Sequence, residues 1–64
     1  MNPGEVWQYT SDLGVVFIVL DSWHVNERGL QHLRLAYLTN DRSPERVGRV
    51  YERTLSPASH VRVA

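Results

Sequence analysis

Hydrophobic positions along this chain recur mostly at every second residue or gather into one short block, and that spacing predicts strands rather than helices. Val15-Val16-Phe17-Ile18-Val19-Leu20 is an unbroken β-branched and apolar run whose length and composition fit a central strand. It continues through Asp21, Ser22, Trp23 and His24 to Val25. From Leu30 to Thr39 the pattern alternates, with Leu33, Leu35 and Tyr37 on one face and His32, Arg34 and Ala36 on the other. Glu5-Val6-Trp7-Gln8-Tyr9-Thr10 sets Trp7 and Tyr9 against Val6, Gln8 and Thr10. Val61-Arg62-Val63 alternates as a brief last strand.

Turn chemistry divides these segments. Pro3-Gly4 precedes the first strand, and Ser11-Asp12-Leu13-Gly14 follows it. Asn26-Glu27-Arg28-Gly29 is the strongest hairpin signal, a short polar loop ending in Gly. Pairing Val25 with Leu30 around that loop sets Trp23 opposite His32 as a packing pair, with His24 and His32 on opposite faces of the sheet. Asn40-Asp41-Arg42-Ser43-Pro44 is a loop.

Residues 43–55 support two readings. As a strand, Gly48-Arg49-Val50-Tyr51-Glu52-Arg53-Thr54 is rich in β-formers. As a helix, Ser43 is the N-cap, Pro44 takes the first position, and Val47, Val50, Tyr51 and Leu55 form an apolar stripe. A mid-helix Gly48 costs about 1 kcal/mol, so we favour the strand. Leu55-Ser56-Pro57-Ala58-Ser59-His60 reads as one helical turn.

The expected fold is therefore all-β: a small five-stranded antiparallel barrel with one short helical turn before the last strand. The alternative is a three-stranded antiparallel sheet plus a helix at residues 43–55. This order of elements resembles the Src-homology-three type of barrel over nearly the whole chain. The opening Pro3-Gly4-Glu5-Val6-Trp7, followed after a turn by Val15–Leu20, is similar to the start of PemK-type toxin, KOW-type and Tudor-type barrels. The PemK-type pattern has an Arg-Pro pair entering its second strand, where this chain has Asp12-Leu13-Gly14. No functional residue transfers through that resemblance.

A length of 64 residues is one domain, residues 1–64, with a small core. There is no cysteine, which excludes disulfides and thiolate metal sites and fits a reducing, cytoplasmic setting. We read no signal peptide and no membrane span; the longest apolar run is Val15–Leu20.

Seven basic residues, all Arg, balance seven acidic ones. The balance is uneven along the chain. Residues 1–32 carry Glu5, Asp12, Asp21 and Glu27 against Arg28, and residues 33–64 carry Arg34, Arg42, Arg46, Arg49, Arg53 and Arg62 against Asp41, Glu45 and Glu52.

Catalytic groups are not evident. Ser22 near His24, and Ser59 beside His60, stand in no nucleophile motif. Neither a metal site nor a cofactor is expected. The candidate binding surface is an exposed aromatic and Arg set: Trp7, Trp23, Arg34, Arg49, Tyr51 and Arg53. Trp7 is expected to face outward, since Val6 and Trp7 point to opposite sides. The function expected is a non-enzymatic module that binds a protein partner, of the kind found among small phage and mobile-element accessory proteins. Self-association into a homodimer is also expected, because a second copy would extend a small core. A nucleic-acid-binding barrel is the first alternative and a PemK-type ribonuclease the second; zero net charge disfavours the former.

Overall fold

The apolar run at Val15–Leu20 forms the middle of a sheet because β-branched side chains fit a pleated surface buried from one side. The computed structural model describes residues 1–25 and 27–64; Asn26, which opens the predicted hairpin loop, lies outside the described residues. The strands are β1 (Val6–Tyr9), β2 (Val15–Val25), β3 (Gln31–Asn40), β4 (Val50–Leu55) and β5 (His60–Arg62). They make one antiparallel five-stranded sheet in the order β4-β3-β2-β1-β5. Strands β4 and β5 are its edges and do not pair with one another, so the sheet is not closed.

Alternation decides the core. Val15, Phe17 and Val19 of β2 and Leu33, Leu35 and Tyr37 of β3 are buried together, and Met1, Trp7, Tyr9, Tyr51 and Leu55 pack against them. Phe17 stands at the centre, 0% exposed, with its ring centroid 6.4 Å from those of Tyr9 and Tyr37 and 5.6 Å from that of His60.

Register irregularities fall between Val16 and Phe17, Val19 and Asp21, and Ser22 and Val25. Extra residues of this kind locally raise the twist, which lets two long strands coil around a core. The last irregularity also corrects the expected hairpin register. Val25 pairs with Gln31 rather than Leu30, yet the Trp23 and His32 rings still meet at 5.0 Å.

The helix at 43–55 does not form. Pro44–Arg46 makes a single 3₁₀ turn that starts from Asn40, whose Oδ1 accepts the Ser43 N–H at 2.9 Å. Val47 is already extended, and Gly48 takes φ +80° while donating its N–H to the Tyr37 carbonyl at 3.0 Å. A left-handed residue stops a helix at no steric cost only if it is Gly. The chain then gains a full ladder against β3, from Val50↔Ala36 to Leu55↔Gln31. The second 3₁₀ turn, Pro57–Ser59, is capped by Ser56 Oγ, which accepts the Ala58 N–H at 3.3 Å. No helix among the described residues is long and apolar enough to cross a membrane.

Candidate functional site

Strand parity brings a group of aromatic and Arg side chains to the inner face near one end of the sheet. Tyr9 comes from β1, Tyr37 from β3, and Tyr51 and Arg53 from β4, two residues apart and therefore on one face. The turn at Pro44–Arg46 delivers Arg46 to the same place. The Tyr37 and Tyr51 ring centroids are 5.8 Å apart. Two guanidinium groups lie over the Tyr51 ring, that of Arg53 at 4.8 Å and that of Arg46 at 5.7 Å from its centroid. Each such contact contributes about 0.5–1 kcal/mol at an exposed position.

A cavity of about 240 Å³ opens beside them, lined in part by Tyr9, Asp12, Tyr37, Asn40, Arg42 and Arg46. Arg42 is already engaged, donating from Nε to Asp12 Oδ2 at 2.6 Å. Among the described residues, Arg46 and Arg53 have no acidic partner. The site therefore offers two cations on an aromatic floor, with one wall neutralised.

The ionisable groups respond to this arrangement. The Asp12 carboxyl is held below its ordinary value, first by the Gly14 backbone N–H it accepts at 3.0 Å and then by Arg42. Burial pushes the Tyr9 phenol up, with a further rise from Tyr37 that Arg53 and Arg42 partly offset. The raised Tyr9 phenol is thus uncharged at neutral pH.

The residues singled out from sequence do not all meet. Tyr51 and Arg53 lie in this cluster, but half-buried on the inner face, with Tyr51 packed against the core rather than turned outward as expected. Arg49 is exposed in the approach to β4. Arg34 points to the outer face, where Glu52 lies 3.7 Å away. Trp23, 40% exposed, packs against His32 with the two rings tilted by 56°.

Trp7 is not turned outward as expected. It packs against the core and donates Nε1–H to Glu5 Oε1 at 3.0 Å, and Val6 is the residue that faces away. The same Glu5 carboxylate accepts the Asn2 N–H and lies 3.2 Å from Arg62, and these contacts hold its carboxyl below the usual value. Sequence reasoning missed Tyr9, Tyr37 and Arg46 as site members. The two-residue step from Tyr51 to Arg53 was readable in the sequence, whereas the arrival of Arg46 depends on a turn geometry.

A second hollow, about 430 Å³, lies on the outer face against Trp23, His24, Leu30, His32, Glu52 and Thr54. His32 Nδ1 is 3.0 Å from Thr54 Oγ1, and its Nε2 is 3.7 Å from Glu52, beyond hydrogen-bond range. The His32 and Glu52 side chains are about half exposed, so water competes for these contacts and the group acts as a surface network beside the Trp23–His32 ring pair. No cluster of three His, Asp or Glu side chains suited to a metal is found among the described residues. His60 does not engage its neighbour Ser59. It donates from Nδ1 to the Ser56 carbonyl at 2.7 Å, lies 4.2 Å from the Tyr9 ring, and buries Nε2 without a protein partner.

Comparison with protein families, with curated proteins and with solved structures finds no match. The fold and the site define a small all-β antiparallel domain with an aromatic floor and a guanidinium rim at one end of the sheet.

Proposed function

We propose that the protein is a non-enzymatic interaction module. It takes an extended, carboxylate-bearing segment of a protein partner across Tyr9, Tyr37 and Tyr51, with Arg46 and Arg53 meeting the acid groups. The observation that carries this is the pair of guanidinium groups held over one tyrosine ring without an acidic partner among the described residues. Arg presents a planar fork that matches a carboxylate bidentately, and the tyrosine faces supply apolar contact at low entropic cost.

We assign the fold to the Src-homology-three-like type, with an open seam between β4 and β5. The strand order and the 3₁₀ turn at Pro57–Ser59 before the short β5 support that assignment. The absence of cysteine fits a cytoplasmic setting.

The test is fluorescence anisotropy with a labelled oligoglutamate peptide and with oligo-dT and oligo-U, across a range of salt. Peptide binding that is lost in Arg53→Ala and weakened in Tyr51→Ala is the expected result. Oligonucleotide binding that falls steeply with salt, in place of peptide binding, would overturn it and favour base stacking on Tyr51. Cleavage of the oligo-U would point instead to the ribonuclease class.

A further inference from the structure

Antiparallel sheets that cover a core on one side ordinarily present polar residues on the other. This sheet does so over only part of its outer face. Registers Val6↔Ile18, Ile18↔Ala36 and Ala36↔Val50, with the Val63 N–H donated to the Val6 carbonyl at 2.8 Å, align Val6, Ile18, Ala36 and Val50 in one row across four strands, with Val63, the residue after β5, extending it. Every member is aliphatic, and all lie on the outer face, opposite in parity to the buried Phe17, Leu35 and Tyr37. Val50 and Val63 are 57% and 51% exposed. The next row is also largely apolar, with Val61 and Val16 flanking Gln8.

On the other side of the aliphatic row the face turns polar, and its charges alternate. Asp21 pairs across strands with Arg34, and Arg34 with Glu52. A partner of one dominant sign would meet both attraction and repulsion there. A second copy brings the same alternation and can set its own Asp21 or Glu52 against Arg34. The chain as a whole carries seven basic and seven acidic residues, so two copies approach without net repulsion.

The dimensions limit such a pairing to a small interface. The two longer dimensions of the molecule, 32 and 22 Å, cap any one face at roughly 700 Å², below the ~800 Å² each partner buries in a standard interface. A chain of this length is also one that gains from a second layer, since a sheet is stably covered only when another layer packs on it.

We propose that this outer face is the interface between two copies of the chain, packed sheet on sheet in a two-fold dimer that leaves the Tyr51–Arg53 end free. The area places the dimer at the weak end of specific association, so it is concentration-dependent.

Sedimentation velocity from about 10 μM to about 1 mM tests it on the wild type, on Val50→Glu with Val63→Glu, and on Leu13→Lys. Leu13 is an exposed apolar residue in the β1–β2 loop and serves as the control. Both valines are more than half exposed, so the double variant keeps its fold, which circular dichroism verifies. The expected result is a wild-type monomer–dimer equilibrium that Leu13→Lys leaves alone and the double glutamate variant weakens at least ~10-fold. A wild type that is monomeric throughout overturns the proposal. So does a dimer that the double variant leaves intact, or a monomer that binds neutral phosphatidylcholine vesicles through these valines, which would give the face to a lipid surface.

Discussion

Phe17 is the residue whose loss tests the packing logic most directly. Its side chain is fully buried, and its ring meets Tyr9, Tyr37 and His60 at centroid distances of 6.4, 6.4 and 5.6 Å. These neighbours come from β1, β3 and β5, so one ring joins the strands that flank β2 to the far edge. Truncating a buried Phe to Ala costs about 3–5 kcal/mol. A domain of this size has only ~3–5 kcal/mol in total. Phe17→Ala therefore cancels most or all of the stability and sharply reduces the folded population at room temperature.

Phe17→Leu keeps much of the volume but loses edge-on ring contacts worth about 0.5–1.5 kcal/mol each when isolated. We expect a net loss of about 1–2 kcal/mol, or a fall in Tm of roughly 5–15 °C. Far-UV and near-UV circular dichroism melts measure both, with the near-UV band reporting the aromatic packing. A Phe17→Ala protein that melts cooperatively within a few degrees of wild type would refute the picture of a single core organised around this ring.

The remaining predictions concern pH and backbone. The folded-state carboxyls of Asp12 and Glu5 sit below their ordinary values of 3.8 and 4.5, so the stability they contribute is present above those values and is lost as pH falls through the folded ones. Urea midpoints from about pH 7 to about pH 2 should drop on the acid side, and the drop should shrink in Asp12→Asn with Glu5→Gln; an unchanged acid limb contradicts the assigned contacts. Tyr9 is shifted the other way, so its contribution is present below the ordinary phenol value of 10.0 and is lost as pH rises through the higher folded one. Ultraviolet titration should show a late phenol transition that Tyr9→Phe removes. Gly48→Ala, at φ +80° with open space around the added methyl, should cost about 1 kcal/mol from backbone strain alone; no loss in urea melts would show that the turn relaxes.

Period-two alternation made much of this structure legible beforehand. In β3, Leu33, Leu35 and Tyr37 had to share a face, and they are buried. In β4, the same rule placed Tyr51 beside Arg53. Where local signals competed, the sequence could not decide. Ser43-Pro44-Glu45 is a sound helix start, yet the segment yields one 3₁₀ turn, because the following residues recover more hydrogen bonds and burial by pairing with β3. The hairpin register slipped by one residue for a similar reason: an irregularity between Ser22 and Val25 is a property of the coiled sheet and leaves no mark in composition.

By itself, the sequence determined the strand-rich fold, the central place of Val15–Leu20 and the shared face of Leu33, Leu35 and Tyr37, since each depends only on which side chains neighbours along a pleated chain send to the same side. Tertiary structure decided which tyrosines face Arg46 and Arg53, that Trp7 and not Val6 turns inward, and that five aliphatic residues, from four strands and the segment just after β5, line up on the outer surface. Those facts depend on strand order and register, which follow from the free energy of the whole sheet and not from any one segment.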